Sequence, residues 1–142
     1  MDNNISILDE LYKGCCMGID ALGYILPKTK EERFKDLLEK QVIEYQDLSS
    51  RIESLYQEYT TKDIHDTSAL EKVRTWYGVQ MDTMMDDSVG NLADLLIKGT
   101  NMGILEGKRI LNHKTMDKKV HKLCSEYVKM QEAYLKKLKE FL

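Results

Sequence analysis

Three glycines spaced four residues apart, Gly99, Gly103 and Gly107, stand in the stretch GTNMGILEGKRI, whose Gly107-Lys108 invites comparison with a phosphate-binding loop. Such a loop needs four residues between its glycines, then Lys and Ser or Thr, all following a strand. Here three residues separate Gly103 from Gly107, Arg109 follows the lysine, and no strand pattern precedes them. The loop would lack its magnesium-binding hydroxyl, so nucleotide chemistry is not expected. The stretch also falls far short of the ~20 apolar residues of a membrane span, which excludes a transmembrane dimer motif.

Carboxylates are the next candidates. A dinuclear metal centre in a helical bundle takes one carboxylate from each of two helices and a Glu-x-x-His from each of the other two. No Glu-x-x-His occurs in this chain. Placing each acid at ~100° per residue leaves Glu44 about 60° from the centre of its helix's apolar face and Glu106 about 100° from its own. These two are the fallback ligands for a lone iron, manganese or zinc, and the expectation is that no cofactor is bound. His65, His113 and His121 are scattered and read as surface residues. Cys15 and Cys124 lie on or beside apolar seams, where a free thiol behaves as a small hydrophobe. Adjacent Cys15 and Cys16 diverge by about 100° on a helix, too far apart to grip one metal easily. Three cysteines make no disulfide framework, and a cytoplasmic, reducing location is expected.

Two further groups have spacing that matters. Gln41, Tyr45, Thr100, Tyr127 and Gln131 fall on apolar seams, forming either a hydrogen-bonded layer that fixes helix register or the wall of a small-ligand pocket. Gly14 and Gly18 in one helix match Gly99, Gly103 and Gly107 in another. Glycine inside a helix costs about 1 kcal/mol relative to alanine, so these positions are expected to be sites of close helix packing, backbone against backbone.

The elements that carry these residues follow from apolar periodicity. A first helix is predicted over about 4–26, with Ile5, Leu8, Tyr12, Cys15, Ile19, Leu22 and Leu26 as its seam and Pro27 as its stop. A second, over about 30–60, opens at a Thr29-x-x-Glu32 capping box and carries Phe34, Leu38, Gln41, Tyr45, Leu48, Ile52, Leu55 and Tyr59. After the polar loop TTKDIHDT, Ser68-x-x-Glu71 is a second capping box. It starts a shorter helix over about 69–86, with Leu70, Val73, Tyr77 and Met84 inward and Trp76 beside them. Asp87 or Ser88 caps a helix over about 88–112. The last runs over about 118–142, with Val120, Leu123, Tyr127, Met130, Tyr134, Leu138 and Phe141.

The chain of 142 residues fits one domain, residues 1–142, long enough to bury a core without disulfides. One proline, 42% hydrophobic and 32% charged residues place it in the all-α class. The short gap after the first helix forces an antiparallel hairpin, the HKTMDK turn makes a second, and the long, partly helical connection spans the bundle. That is a one-crossover four-helix bundle. Net charge of −3 argues against nucleic-acid binding, and the lysines of the last helix read as a solvated face. The N-terminal MDNNISILDELYKG lacks the pattern of a signal or transit peptide.

Together the two hairpins, the crossover and the stretch DDSVGNLADLLIKGTNMGILEG resemble the ferritin-like superfamily, in particular its small bacterial members of unknown function, some related to spore-coat bundles. The resemblance covers nearly the whole chain and implies the fold. Metal-binding members imply iron or peroxide chemistry, but their ligand pattern finds only Glu44 and Glu106 here.

The leading expectation is therefore a non-enzymatic bundle acting through self-association as a homodimer or through a protein partner. The helix over 88–112 is apolar on two sides, with Leu95, Met102 and Leu105 behind its main stripe of Ala93, Leu96, Thr100, Ile104 and Leu111. These three residues are the candidate interface. The alternatives are an unusual metal-binding oxidoreductase and a small-molecule binder between the helices.

Overall fold

Among the described residues, apolar spacing becomes five helices: α1 (Asn4–Ile25), α2 (Glu32–Tyr59), α3 (Ser68–Asp82), α4 (Val89–His113) and α5 (Lys118–Lys139), with a 3₁₀ turn at Leu26–Lys28. The computed structural model describes residues 3–64, 68–82, 84 and 86–142, and no strand occurs among them. Among the described residues no helix is long and apolar enough to cross a membrane.

The first turn is built differently from the predicted capping box. Pro27 enters the 3₁₀ turn, and the Thr29 hydroxyl donates to the Ile25 carbonyl at 3.0 Å, closing α1 rather than opening α2. Glu31 is the N-cap of α2 instead, its two carboxylate oxygens accepting from the Arg33 and Phe34 amides at 3.1 and 2.8 Å. A carboxylate there also meets the positive end of the helix dipole. At α4, Ser88 is the cap as expected, and its hydroxyl accepts from the Asn91 amide at 3.4 Å. Asp86 reinforces that start by accepting from the Asn91 side chain at 2.7 Å. The Ser68 cap and Leu70 fall on side chains outside the described residues, as does His65 of the preceding loop.

Helix directions follow from the ties between them. Asn4 is buried and accepts from the Asp117 amide at 2.8 Å, which fastens the start of α1 to the start of α5. Tyr59, at the end of α2, donates to Asp117 at 2.6 Å. At the opposite end Phe34 packs against Phe141 with ring centroids 5.1 Å apart. Gly103 and Gly107 of α4 face Gln131 and Val128 of α5. Thus α1 and α5 run one way, and α2 and α4 the other. The connection from α2 to α4 must therefore return along the length of the molecule. Within it α3 lies against α1, pinned by Arg74 on Asp20 at 3.1 Å.

Most of the α2 and α5 seams, Gln131 included, are buried as predicted, with Tyr56, Cys124 and Val128 added and Tyr59, Met130 and Phe141 half-buried. The inward face of α1 is rotated from the predicted one. Ile5 is 41% exposed, whereas Ile7, Leu11 and Ile25 are fully or almost fully buried. The anchored Asn4 side chain turns this face inward, and α3 lying against α1 widens the buried arc. The ends of α3 and α5 fall short of the predicted 86 and 142.

Candidate functional site

All five residues of the predicted polar layer are buried, between 2% and 7% exposed. Tyr45 of α2 donates its hydroxyl to Gln131 Oε1 of α5 at 3.2 Å. Gln131 Nε2 donates in turn to the Tyr127 carbonyl at 3.3 Å. A bond from α2 to α5 crosses between the two hairpins, so it fixes their register as well as satisfying both groups. Two atoms remain unsatisfied: the Gln41 amide nitrogen and the Tyr134 hydroxyl are buried with no hydrogen-bond partner among the described residues.

The glycines make room for this layer. A methyl on Gly14 would strike the Tyr127 hydroxyl, one on Gly99 the Tyr77 hydroxyl, and one on Gly103 the Gln131 amide. On Gly18 it would come within 2.6 Å of the Tyr45 ring, and on Gly107 within 2.5 Å of Val128. The expectation of backbone meeting backbone is thus corrected. The nearest atoms are side-chain atoms from α2, α3 and α5, because large polar tips need the volume that a Cβ would fill.

Between α1 and α4 the same arrangement leaves a cavity of about 560 Å³. Its walls are Gly14, Met17, Gly18, Ala21 and Leu22 of α1 and Leu96, Gly99, Thr100 and Gly103 of α4. Tyr45, Tyr127, Gln131 and Tyr134 close its floor, and Val73, Trp76 and Tyr77 of α3 close one side. Charge is confined to the rim, where Glu10, Lys13, Lys72, Glu106 and the apolar Met102 surround the opening. Glu10 is itself paired with Lys114 at 3.5 Å.

Burial raises the pKa of every phenol in this wall. Tyr45 and Tyr134 lie well above the ordinary tyrosine value, each helped by neighbouring phenols. Tyr127 is raised in the same way, with Cys15 adding to the shift and the Gln131 amide opposing it. Desolvation alone pushes Tyr77 up to about 12. All four are neutral hydroxyls at physiological pH, and so can donate.

The metal fallback residues are not brought together at this site. Glu106 stands at the cavity rim, whereas Glu44 is exposed on α2 and does not line the cavity. Among the described residues no group of three or more His, Cys, Asp or Glu is placed to hold a metal ion. His113 and His121 are exposed. Cys15 and Cys124 are fully buried, and desolvation raises both thiols, Cys124 to about 11, so neither is an activated nucleophile. Leu95 is withdrawn from the candidate interface because it is 4% exposed within the chain, whereas Met102 and Leu105 are 55% and 51% exposed.

Sequence reasoning placed Tyr134 and Tyr77 on apolar seams without assigning them to the polar layer. Tyr134 follows Gln131 by three residues and Tyr127 by seven, the spacing of one helix face, so periodicity could have joined it to them. Nothing in the sequence indicates that Tyr77 reaches over to Gly99, since that depends on where α3 lies.

Two predictions follow from this packing. Gly23 has nothing within 4 Å of an added methyl, so Gly23→Ala should stabilise the fold by about 0.5–1 kcal/mol through helix propensity. Gly18→Ala must displace the hydrogen-bonded Tyr45 ring, and its overpacking cost of about 1–3 kcal/mol should cancel or exceed that gain. Urea unfolding of both variants measures the difference, and equal stabilisation would contradict the seating of Tyr45 on Gly18. The second concerns pH. Because the folded-state phenol pKa values are raised, the stability they carry is complete below pH ~10 and is lost as pH rises from there toward the folded values, at about 1.4 kcal/mol per pH unit per phenol. Ultraviolet titration should show Tyr45, Tyr77, Tyr127 and Tyr134 ionising together with unfolding, not as independent groups near 10.

No protein-family model, curated protein or solved structure matches this chain, so the geometry of the cavity is the basis for a functional reading.

Proposed function

We propose that the chain is a non-enzymatic binding protein that holds a small, largely apolar molecule in the cavity between α1, α3 and α4. The observation that carries this reading is a cavity of about 560 Å³ walled mostly by apolar side chains and the rings of Tyr45, Trp76, Tyr77, Tyr127 and Tyr134. That volume lies in the range of small-ligand sites, which are mostly apolar with a few placed polar groups. Among the described residues the wall contains no histidine or cysteine, and its carboxylates stand at the rim, which favours binding over catalysis. We propose further that the scaffold is a ferritin-like four-helix bundle with α3 as its crossover. The shared direction of α2 and α4, and of α1 and α5, supports that assignment.

Self-association is a second reading, favoured by the exposure of Met102 and Leu105, one turn apart on α4. Neither residue is large enough alone to anchor a stable dimer, so this reading ranks below the first.

Ligand binding is tested with the neutral dye N-phenyl-1-naphthylamine, whose fluorescence should rise saturably at one site per chain. Ala21→Leu adds bulk to the cavity wall. It should weaken dye binding roughly tenfold or more while costing under about 1 kcal/mol of stability, less than overpacking in a filled core. Dye binding unchanged in this variant would count against the cavity as the site. For self-association, sedimentation of the native chain at high micromolar concentration should show a dimer that Met102→Lys with Leu105→Lys abolishes. A native monomer there ends the second reading.

A further inference from the structure

We infer that α3 is a lid on the cavity: it leaves the other four helices as a unit, and its departure widens the mouth through which an occupant passes. The passage of an occupant rests on the reading of the cavity as a ligand site, whereas the opening of α3 does not.

The ties described above that hold the molecule together run between α1, α2, α4 and α5. They are Asn4 and Tyr59 on Asp117, Tyr45 on Gln131, and Phe34 on Phe141. None of these includes a residue of α3, so the frame keeps them when α3 leaves. Helix α3 lies mainly against α1. Among its described side chains Val73 and Tyr77 are buried, with Trp76 and Met81 half-buried beside them. Its ion pair, Arg74 on Asp20 at 3.1 Å, has the guanidinium side chain 51% exposed, and a pair so open to water adds little. Segments with few buried apolar contacts are the ones that open at low free energy.

The helix is also weak in itself. It has 15 residues, a length at which an isolated helix is marginal in water. Gly78 weakens it further, and nothing lies within 4 Å of a methyl added there, so this glycine makes room for no neighbour. The Thr75 hydroxyl donates back to the Glu71 carbonyl at 2.9 Å, a bond that slightly destabilises a helix. Packing on α1 is what keeps α3 helical, so release and unwinding are one event.

Position turns this weakly held helix into a lid. Val73, Trp76 and Tyr77 form one side of the cavity, and the Tyr77 hydroxyl lies against Gly99 of α4. Lys72 of α3 shares the rim with Glu10 and Lys13 of α1 and with Met102 and Glu106 of α4. The width of the mouth therefore depends on where α3 lies. Arg74, Asp20 and Gly78 do not line the cavity, so changing them acts on the lid and not on the site.

Native-state hydrogen exchange in rising urea reads the opening, and stopped-flow mixing with N-phenyl-1-naphthylamine reads the passage. Amides of α3 should exchange before global unfolding, roughly tenfold or more faster than the best protected amides of the other four helices. Arg74→Ala should speed that exchange about two- to fivefold, and Gly78→Ala should slow it about three- to fivefold. Dye association and dissociation should change in the same directions by similar factors. The dye Kd should stay nearly constant, because the lid equilibrium shifts alike in the empty and the filled protein. Exchange of α3 only together with the other helices, in one global step, overturns the lid. Exchange as expected with equal dye rates in all three proteins also overturns it, because the dye then passes through the standing mouth. If the dye does not bind, the ligand reading fails by itself, and exchange still upholds or overturns the separate opening of α3.

Discussion

Large polar side chains in the middle of a helical protein need both hydrogen-bond partners and volume, and much of this structure follows from how both are supplied. Tyr45, Tyr77, Tyr127 and Gln131 reach inward from α2, α3 and α5, and each ends against a glycine of α1 or α4. An alanine at any of these glycines would place a methyl where a hydroxyl, ring or amide now sits. Helix propensity is sacrificed at Gly14, Gly18, Gly99 and Gly103 so that the tips can lie flat against backbone. The Tyr45–Gln131 bond then joins the two hairpins from within, in surroundings where its loss would leave two buried groups unsatisfied.

Packing is closer within each of the two hairpins than between them. Along the α1–α2 and α4–α5 pairs, buried leucines, isoleucines and aromatics interlock. Between α1 and α4 the contacts are sparser, and the cavity lies there with α3 along one side. The ends are held separately, by Asn4 and Tyr59 on Asp117 at one end and by Phe34 on Phe141 at the other. Tying the ends lets the middle of the α1–α4 seam stay open without the hairpins separating.

How much of this is readable in sequence depends on whether a feature is local. The seams of α2 and α5 are regular heptad-like runs, and their periodicity alone names nearly all the buried residues, Tyr45, Tyr127 and Gln131 among them. Helix α1 is harder because apolar residues lie on both sides of its predicted seam, and its buried face is set by partners distant in sequence, α3 and the start of α5, which Asn4 meets across 113 residues. The turn at Thr29 and Glu31 offers two cap-forming residues two positions apart, and the 3₁₀ extension of α1 claims the first. Leu95 looked available because helical angle measures direction, not what neighbours cover. Glycine spacing marks positions where bulk is absent, but it cannot say whether a partner backbone or a tyrosine hydroxyl fills the gap.

The unpartnered groups sharpen the same point. Gln41 and Tyr134 lie at similar levels of the antiparallel α2–α5 pair, bracketed by the Phe34–Phe141 and Tyr45–Gln131 contacts. An unsatisfied buried polar atom costs about 1–3 kcal/mol, and a leucine or phenylalanine of similar size would carry no such penalty. Structural economy therefore explains Tyr45 and Gln131, which satisfy each other, but not Tyr134, whose ring could pack equally well without its oxygen. The hydroxyl contributes nothing to the fold that the described hydrogen bonds reveal, and it belongs to a residue of the cavity wall. The polar layer that fixes register is thus Tyr45 with Gln131, and the Tyr134 hydroxyl lies buried beside it without a share in that bond.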